Sequence, residues 1–275
     1  MINPNQYAIT FACYNALNYT KLCIDSMVKS GTPLERLVIV DNGSHDGTQE
    51  YLQNLPVGRK IFNTQNLGCG VAWNQGALAL QAEWTIIMNN DVIVSPLWIE
   101  KLIGAAIKLG VKLASPALIE GALDYDFIQF ESSASKMMEL VNRPNQQHAV
   151  CLAVHSSVWQ EIGYFAAVPK LLGFEDTLFF NEAKKSKISG ALVGASWLHH
   201  FGSITQSLIK VERGLSKKAG LGDRYNFKLL QQSWFERKFN KFLNKRQTRL
   251  YREHELMQFG MTLHGVREEG KFVWL

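Results

Sequence analysis

The sequence predicts an α/β fold: a mostly parallel sheet with helices on both faces, followed by a helical tail. Three observations predict it. Short β-branched apolar runs alternate with helix-length segments over the first 116 residues, the pattern of repeated strand-helix-strand units. Runs such as "RLVIVD" and "WTIIMNND" are apolar nearly throughout, as expected of strands covered on both sides. Residues 224–252 instead space their aromatic residues at helical intervals.

The elements follow in order. "YAITFA" (7–12) is a first strand. "NYTKLCIDSMVKSG" (18–31) is a helix, with Asn18 placed as N-cap and Gly31 as stop. "RLVIVD" (36–41) is a second strand, "DGTQEYLQNL" a short helix, and "KIFN" (60–63) a third strand. A helix fills 68–82, a fourth strand 84–91, a helix opening on Ser-Pro 95–110, and a fifth strand 111–116. Residues 120–147 are polar and mixed, an excursion or a mixed-sheet edge. Then come a strand and short helix (148–163), a loop entering a helix (173–187), and a strand running into a His-bearing loop (188–203).

Composition narrows the classes. With 275 residues, 47% hydrophobic and 19% charged, the chain is that of a globular protein of one large domain or slightly more. It has no uncharged apolar run near the ~18 residues that span a bilayer. "MINPNQYAIT" lacks the basic and apolar regions of a signal peptide. Cys13, Cys23, Cys69 and Cys151 form no CxxC pair, which suits reduced, buried thiols. The expected compartment is therefore the cytoplasm. Net charge is +5, but residues 224–252 hold nine Lys/Arg and one acid, leaving 20 basic against 23 acidic residues elsewhere. A mildly acidic body carries a basic tail.

In parallel sheets, ligands bind beyond the carboxyl ends of the strands. Asp41 and Asp91 both end predicted strands and so point to one crevice. Asp41, in "VIVDNGSHDGT", reads either as a turn aspartate or as a carboxylate accepting from the edge of a nucleotide base. Tyr14, in "CYN", is placed to stack on that base. "NTQNLGCGVAWNQG" (63–76) carries Gly68, Gly70 and Gly76, which allow close backbone approach at a helix N-terminus able to face a diphosphate. It is neither a dinucleotide fingerprint at the first turn nor a P-loop. "MNNDV" (88–92) offers Asp91 as a hard oxygen ligand, with only neutral oxygens from Asn89 and Asn90. Glu175 and Asp176 lie among aromatic and apolar residues in "GFEDTLFF", as a general base does or as acids stabilised by a helix dipole do. His199 and His200 follow a strand in "WLHHFGSIT", where an imidazole could complete a metal site or be structural.

Seven collinear segments, "ITFACYN", "VIVDNGSHDGT", "NLGCGVAWNQG", "IIMNNDV", "CLAVHSSVWQEIGYF", "GFEDTLFF" and "HHFGSIT", resemble the inverting nucleotide-sugar glycosyltransferases of family 2 and, among them, a bacterial rhamnosyltransferase-like branch. The resemblance spans residues 7 to about 205, and more faintly 224–234. It implies a GT-A, Rossmann-like domain over 1–205, with a nucleotide-sugar half (about 1–116) and an acceptor or catalytic half (about 117–205), and a basic aromatic extension over 206–275. It implies that Tyr14 and Asp41 hold the base, and that Asn15, Asn66, Gly68, Asn74 and Asn90 line the donor site. Asp91 stands for the last acid of the Asp-x-Asp motif. Asp176, with Glu175 beside it, matches the catalytic base, and His200, or failing that His199, the metal-binding histidine. Mn²⁺ or Mg²⁺ is the implied cofactor. Two positions depart from the pattern: Asn89 replaces the first acid, and Leu178 stands where many relatives carry another. The implied partners are a nucleotide-diphosphate sugar and a glycan or lipid-linked acceptor in surface polysaccharide synthesis.

In the tail, Phe235, Phe239 and Phe242 follow i, i+4, i+7, and Phe227, Leu230 and Trp234 follow i, i+3, i+7. Such a helix either packs its aromatics on the domain or lies on an anionic membrane surface, peripheral to its inner face. No nucleic-acid motif accompanies the charge. Two other readings compete with transfer: a sugar nucleotidyltransferase, although "FACYNALNYT" lacks glycine and an early arginine, and a catalytically silent relative that binds sugars or assembles partners.

Overall fold

The computed structural model describes residues 2–167, 175–212, 214–216, 230 and 232–275. Gly173 and Phe174 of the predicted loop, and Phe227 with the start of the predicted tail helix, lie outside them. Four strands form the parallel half: β1 (Tyr7–Cys13), β2 (Leu37–Asp41), β3 (Arg59–Phe62) and β4 (Trp84–Asn89), side by side as β4-β1-β2-β3. Every residue of β1 and β2 is buried, as their unbroken apolar runs require. Alternation along each strand feeds two cores. Ile9, Phe11 and Ile39 pack under α1 (Leu17–Lys29), α2 (Thr48–Gln53) and α4 (Trp98–Leu109). Ala12, Val40 and Ile87 pack under α3 (Cys69–Ala79), α6 (Ser156–Ile162) and α7 (Glu175–Lys185).

Beyond β4 the sheet turns mixed. The predicted fifth strand exists as β6 (Leu113–Gly121), but it does not lie against β4. β8 (Cys151–His155), buried along nearly its whole length, runs antiparallel between them. The polar stretch 120–147 folds as α5 (Phe127–Met137) and the edge strand β7 (Asn142–Pro144). β9 (Gly190–His200) runs parallel to β6 and pairs antiparallel with β7 and with β5 (Val92–Ile93).

Two local expectations are corrected. Asn18 does not cap α1, which starts at Leu17 after two residues of positive φ, Asn15 (53°) and Ala16 (61°). The cap comes from elsewhere in the chain: the Leu17 amide donates to the Asp46 carboxylate at 2.9 Å. Gly76 serves helix packing rather than ligand approach, since a Cβ there would stand 1.8 Å from the Thr10 hydroxyl on β1.

After α8 (Ile204–Glu212), the tail contributes the expected helix as α9 (Trp234–Phe259), opened by a Ser233/Glu236 capping box. A hairpin that sequence did not announce follows. β10 (His264–Glu268) runs parallel to β6, and β11 (Lys271–Trp274) closes the sheet edge. The predicted phenylalanine stripe of α9 does not pack on the domain: Phe235 is 77% exposed and Phe239 and Phe242 are each 61% exposed. What ties α9 to the body is a buried bidentate ion pair. Arg143 of β7 donates to both oxygens of Glu255 at 2.8 Å, and Glu255 also accepts from the Leu263 amide at 2.9 Å. Removing one partner of such a pair strands a buried charge, so Glu255→Gln should cost about 3–5 kcal/mol in urea denaturation. A loss near zero would show that the pair is dispensable.

Candidate active site

A cleft of about 270 Å³ opens at the carboxyl ends of β1 and β4. Seven of the predicted residues line it: Tyr14, Asn66, Asn90, Asp91, Glu175, Asp176 and His200. Strand register explains the Asp91–His200 meeting. Val92 pairs with His200 across β5 and β9, which sets the preceding Asp91 beside the imidazole, with Oδ1 3.3 Å from Nε2. Glu120 pairs with His200 across β6 and β9, and its Oε1 is 3.1 Å from Nδ1. Burial of His200 lowers its pKa, but hydrogen bonds to the two carboxylates outweigh that and push it up to about 9. Hydrogen bonds from His200 and His264 hold Glu120 well below the usual carboxylate range.

His199, the alternative metal histidine, is corrected. It lies on the opposite face of β9, fully buried, with Nδ1 3.0 Å from the Tyr125 hydroxyl and its ring among Tyr125, Phe127 and Phe201. Burial drops its pKa to about 4. Neighbouring strand residues point to opposite faces, so only one of the pair can enter the cleft.

Asp41 is also corrected, from base reader to turn holder. It is fully buried, and one oxygen accepts from the Gly43 amide (3.1 Å), the Ser44 amide (3.0 Å) and the Gln49 amide group (2.7 Å). Gly43 has φ 80°, and a Cβ there would stand 2.9 Å from the Gln65 Cα. The Asp-Asn-Gly turn is thereby fixed against the 63–68 loop. Asn15 knits neighbouring loops: it accepts from the His45 amide and donates to Glu212, both at 2.9 Å. The Tyr14 hydroxyl donates to the other oxygen of Glu212 at 2.9 Å, so α8 is tied to the tip of β1.

Asn66 accepts from the Gly68 amide at 3.0 Å, and the Gly68 carbonyl accepts from Asn42 at 3.1 Å. Gly68 caps α3 with φ 91° but is not part of the cleft lining. Asn74 is not either. It clamps Phe165 from both sides, accepting from its amide (3.0 Å) and donating to its carbonyl (2.8 Å). Glu175 and Asp176 open α7 at the cleft wall, and Asp176 accepts from the Thr177 amide at 2.7 Å. Cys69 also lines the cleft, but burial pushes its thiol up to about 12, too high for a nucleophile.

Sequence reasoning missed Glu120, His148 and Glu212. Glu120 ends "SPALIEG", a strand-end acid of the same kind as Asp91, and that was the signal available. His148 lines the cleft as a neutral ring, its pKa brought down to about 4 by burial.

Among the described residues, no three His, Cys, Asp or Glu side chains converge as a metal-binding group. The cleft offers a pair, the Asp91 carboxylate and His200 Nε2, with the Asn89 side chain 3.5 Å from that nitrogen. Two hard or borderline donors side by side fit a divalent cation that takes its remaining ligands from substrate oxygens and water.

Comparisons agree with this architecture. Residues 9–164 match the sequence family described as glycosyl transferase family 2. An uncharacterized glycosyltransferase of Rickettsia felis is 27% identical over 174 residues, which cover 58% of this chain but 28% of that protein. One of Rickettsia conorii is 32% identical over 107 residues, 38% of this chain and 18% of that protein. The chain thus spans a minor part of the curated relatives it matches. Among solved structures, GalNAc-T7 with UDP, GalNAc and Mn²⁺ aligns with a TM-score of 0.56 at 13% identity, over 82% of this chain and 53% of that one. A Pyrobaculum calidifontis mannosyltransferase with GDP-Man and Mn²⁺ gives 0.54 at 14%, over 76% and 60%. S. aureus TarS gives 0.52 at 15%, over 82% and 69%. The chain has the GT-A fold and belongs to glycosyl transferase family 2.

Proposed function

We propose that the protein transfers a sugar, with inversion, from a nucleotide-diphosphate donor to a hydroxyl of a glycan or lipid-linked acceptor in surface polysaccharide synthesis. The observation that carries this reading is the meeting, in one cleft, of the Glu175–Asp176 acid pair with the Asp91–His200 pair. The nucleotides and Mn²⁺ bound in two of the structural relatives support the donor class.

Asp176 takes the proton of the acceptor hydroxyl as its oxygen attacks the anomeric carbon, and the nucleoside diphosphate leaves from the opposite side. Glu175, buried behind it, shapes the acid pair's environment. Tyr14 stacks on the base, and Asn66 and Asn90 face the diphosphate sugar. Asp91 and His200 hold Mn²⁺ or Mg²⁺, which when bound neutralises charge developing on the leaving group.

General-base catalysis typically contributes about 10²–10⁴-fold. Asp176→Asn should lower turnover by that order while nucleotide affinity, measured by calorimetry, stays unchanged. Near-normal turnover in the variant would sink the base assignment. A wild-type protein that binds donor but neither transfers nor hydrolyses it would favour the silent-relative reading, which Asn89 and Leu178 support.

We propose further that the enzyme works at an anionic membrane surface, held there by α9. Among the described residues no helix is long and apolar enough to cross a membrane. At about 100° per residue, Phe235, Phe239, Phe242, Leu243 and Leu250 share one face of α9. That face lies opposite Thr248 and Glu255, which bond to the body. Lys238, Lys241, Lys245, Arg249 and Arg252 flank it, all exposed. An outward apolar face beside a basic one suits insertion at an anionic interface. The protein should sediment with vesicles containing phosphatidylglycerol at low salt, and Phe235→Ser/Phe239→Ser/Phe242→Ser should abolish this. Absence of binding at both low and high salt removes the membrane reading.

A further inference from the structure

Glu120 lines the cleft on the Nδ1 side of His200, and His264 lies against its other oxygen. We infer that they are positioning residues: Glu120 fixes the ring of His200, and His264, from the C-terminal hairpin, holds Glu120. The inference rests on the reading of Asp91 and His200 as the metal-holding pair.

An ionised carboxylate only accepts hydrogen bonds. Glu120 Oε1 lies 3.1 Å from His200 Nδ1, and Oε2 lies 3.4 Å from His264 Nε2. Both ring nitrogens therefore carry hydrogen on the side facing Glu120. With Nδ1–H committed, Nε2 of His200 is the nitrogen presented to Asp91, 3.3 Å away. A histidine ring has two flipped orientations and two neutral tautomers, and one charged acceptor behind it selects a single combination. Carboxylates that orient ligating histidines in this way set ligand basicity as well as direction.

Register supplies Glu120, which pairs directly with His200 across β6 and β9. His264 reaches the same point because β10 is held tightly on β6. A Cβ on Gly265 would stand 2.7 Å from the Trp274 ring and 2.9 Å from Ile119 Cδ1, so glycine permits the approach. The turn before β10 is pinned too. The Leu263 amide donates to Glu255, itself locked by Arg143, and the Thr262 hydroxyl bonds the His264 carbonyl at 2.7 Å. A continuous chain of hydrogen bonds thus runs from the base of α9 through β10 and β6 to the cleft. The C-terminal segment is on this account a working part of the active site.

Mn²⁺ titration by electron paramagnetic resonance on the full chain tests the inference, with Asp91→Asn as reference and circular dichroism as a folding check. Glu120→Gln keeps the side chain's size and removes its charge, and should weaken Mn²⁺ binding about 10–100-fold, the usual effect of losing a ligand's outer partner. His264→Gln, which loses the longer contact, should weaken it less. Histidine ¹H–¹⁵N spectra of the Mg²⁺-loaded protein should show His200 protonated at Nδ1 alone in the wild type, and a mixture of tautomers in Glu120→Gln. Should Glu120→Gln fail to fold, Glu120→Asp and His264→Gln carry the same comparison. Weakened binding in Asp91→Asn with wild-type affinity and tautomer in the Glu120 and His264 variants overturns the positioning role and leaves the metal reading intact. Unchanged binding in Asp91→Asn removes the metal reading and the positioning role with it.

Discussion

The site depends on one strand register, the placement of β9 between β5 and β6. That register sets a buried imidazole between two carboxylates, Asp91 at 3.3 Å and Glu120 at 3.1 Å. Neither acid is near His200 in sequence, so the cluster exists only when the sheet is assembled. An irregularity makes the register specific. Pro116 pairs with Val193, but the next residue, Ala117, pairs with Trp197, so β9 carries three extra residues at this point. An odd insertion swaps the faces of a strand. His200 therefore faces the cleft, and Trp197 and His199 face an aromatic core built with α5 and the C-terminal hairpin.

That bulge explains why the sequence was legible in some places and opaque in others. The parallel half was readable because β1, β2 and β4 are buried on both sides and so are written as apolar runs that end on polar residues. Their tips were readable for the same reason, and Tyr14, Asn90 and Asp91 do line the cleft. The choice between His199 and His200 was not readable from alternation, because the parity change arises around Gly194, whose Cβ would stand 2.4 Å from the Met138 carbonyl of a distant segment. Asp41 shows a different limit. A strand-end carboxylate suits a ligand and a turn equally well, and the three donors that occupy it come from its own loop and α2. The family resemblance put Asn74 at the donor site, but its partner, Phe165, lies 91 residues away.

The tail was the least legible region because two kinds of information overlap there. Its helix is marked by a capping box and by periodic aromatics, both local signals. The hairpin after it is short and leans on partners far upstream, β6 through pairing and Arg143 through Glu255. Long-range pairing of that kind leaves little local trace. The outcome is a C-terminal segment with two faces: one anchored by a buried ion pair and continuous with the central sheet, the other turning phenylalanines and cations outward.

The proposed function requires this cleft to bind a nucleoside diphosphate with the help of a metal ion. Calorimetric titration of UDP, GDP and dTDP, each with and without Mn²⁺, tests it most directly. At least one of the three should bind, Mn²⁺ should tighten its binding, and Asp91→Asn should remove the gain from metal. Absence of binding by all three under either condition, or an affinity that ignores both Mn²⁺ and Asp91, would rule out a metal-assisted nucleotide site here.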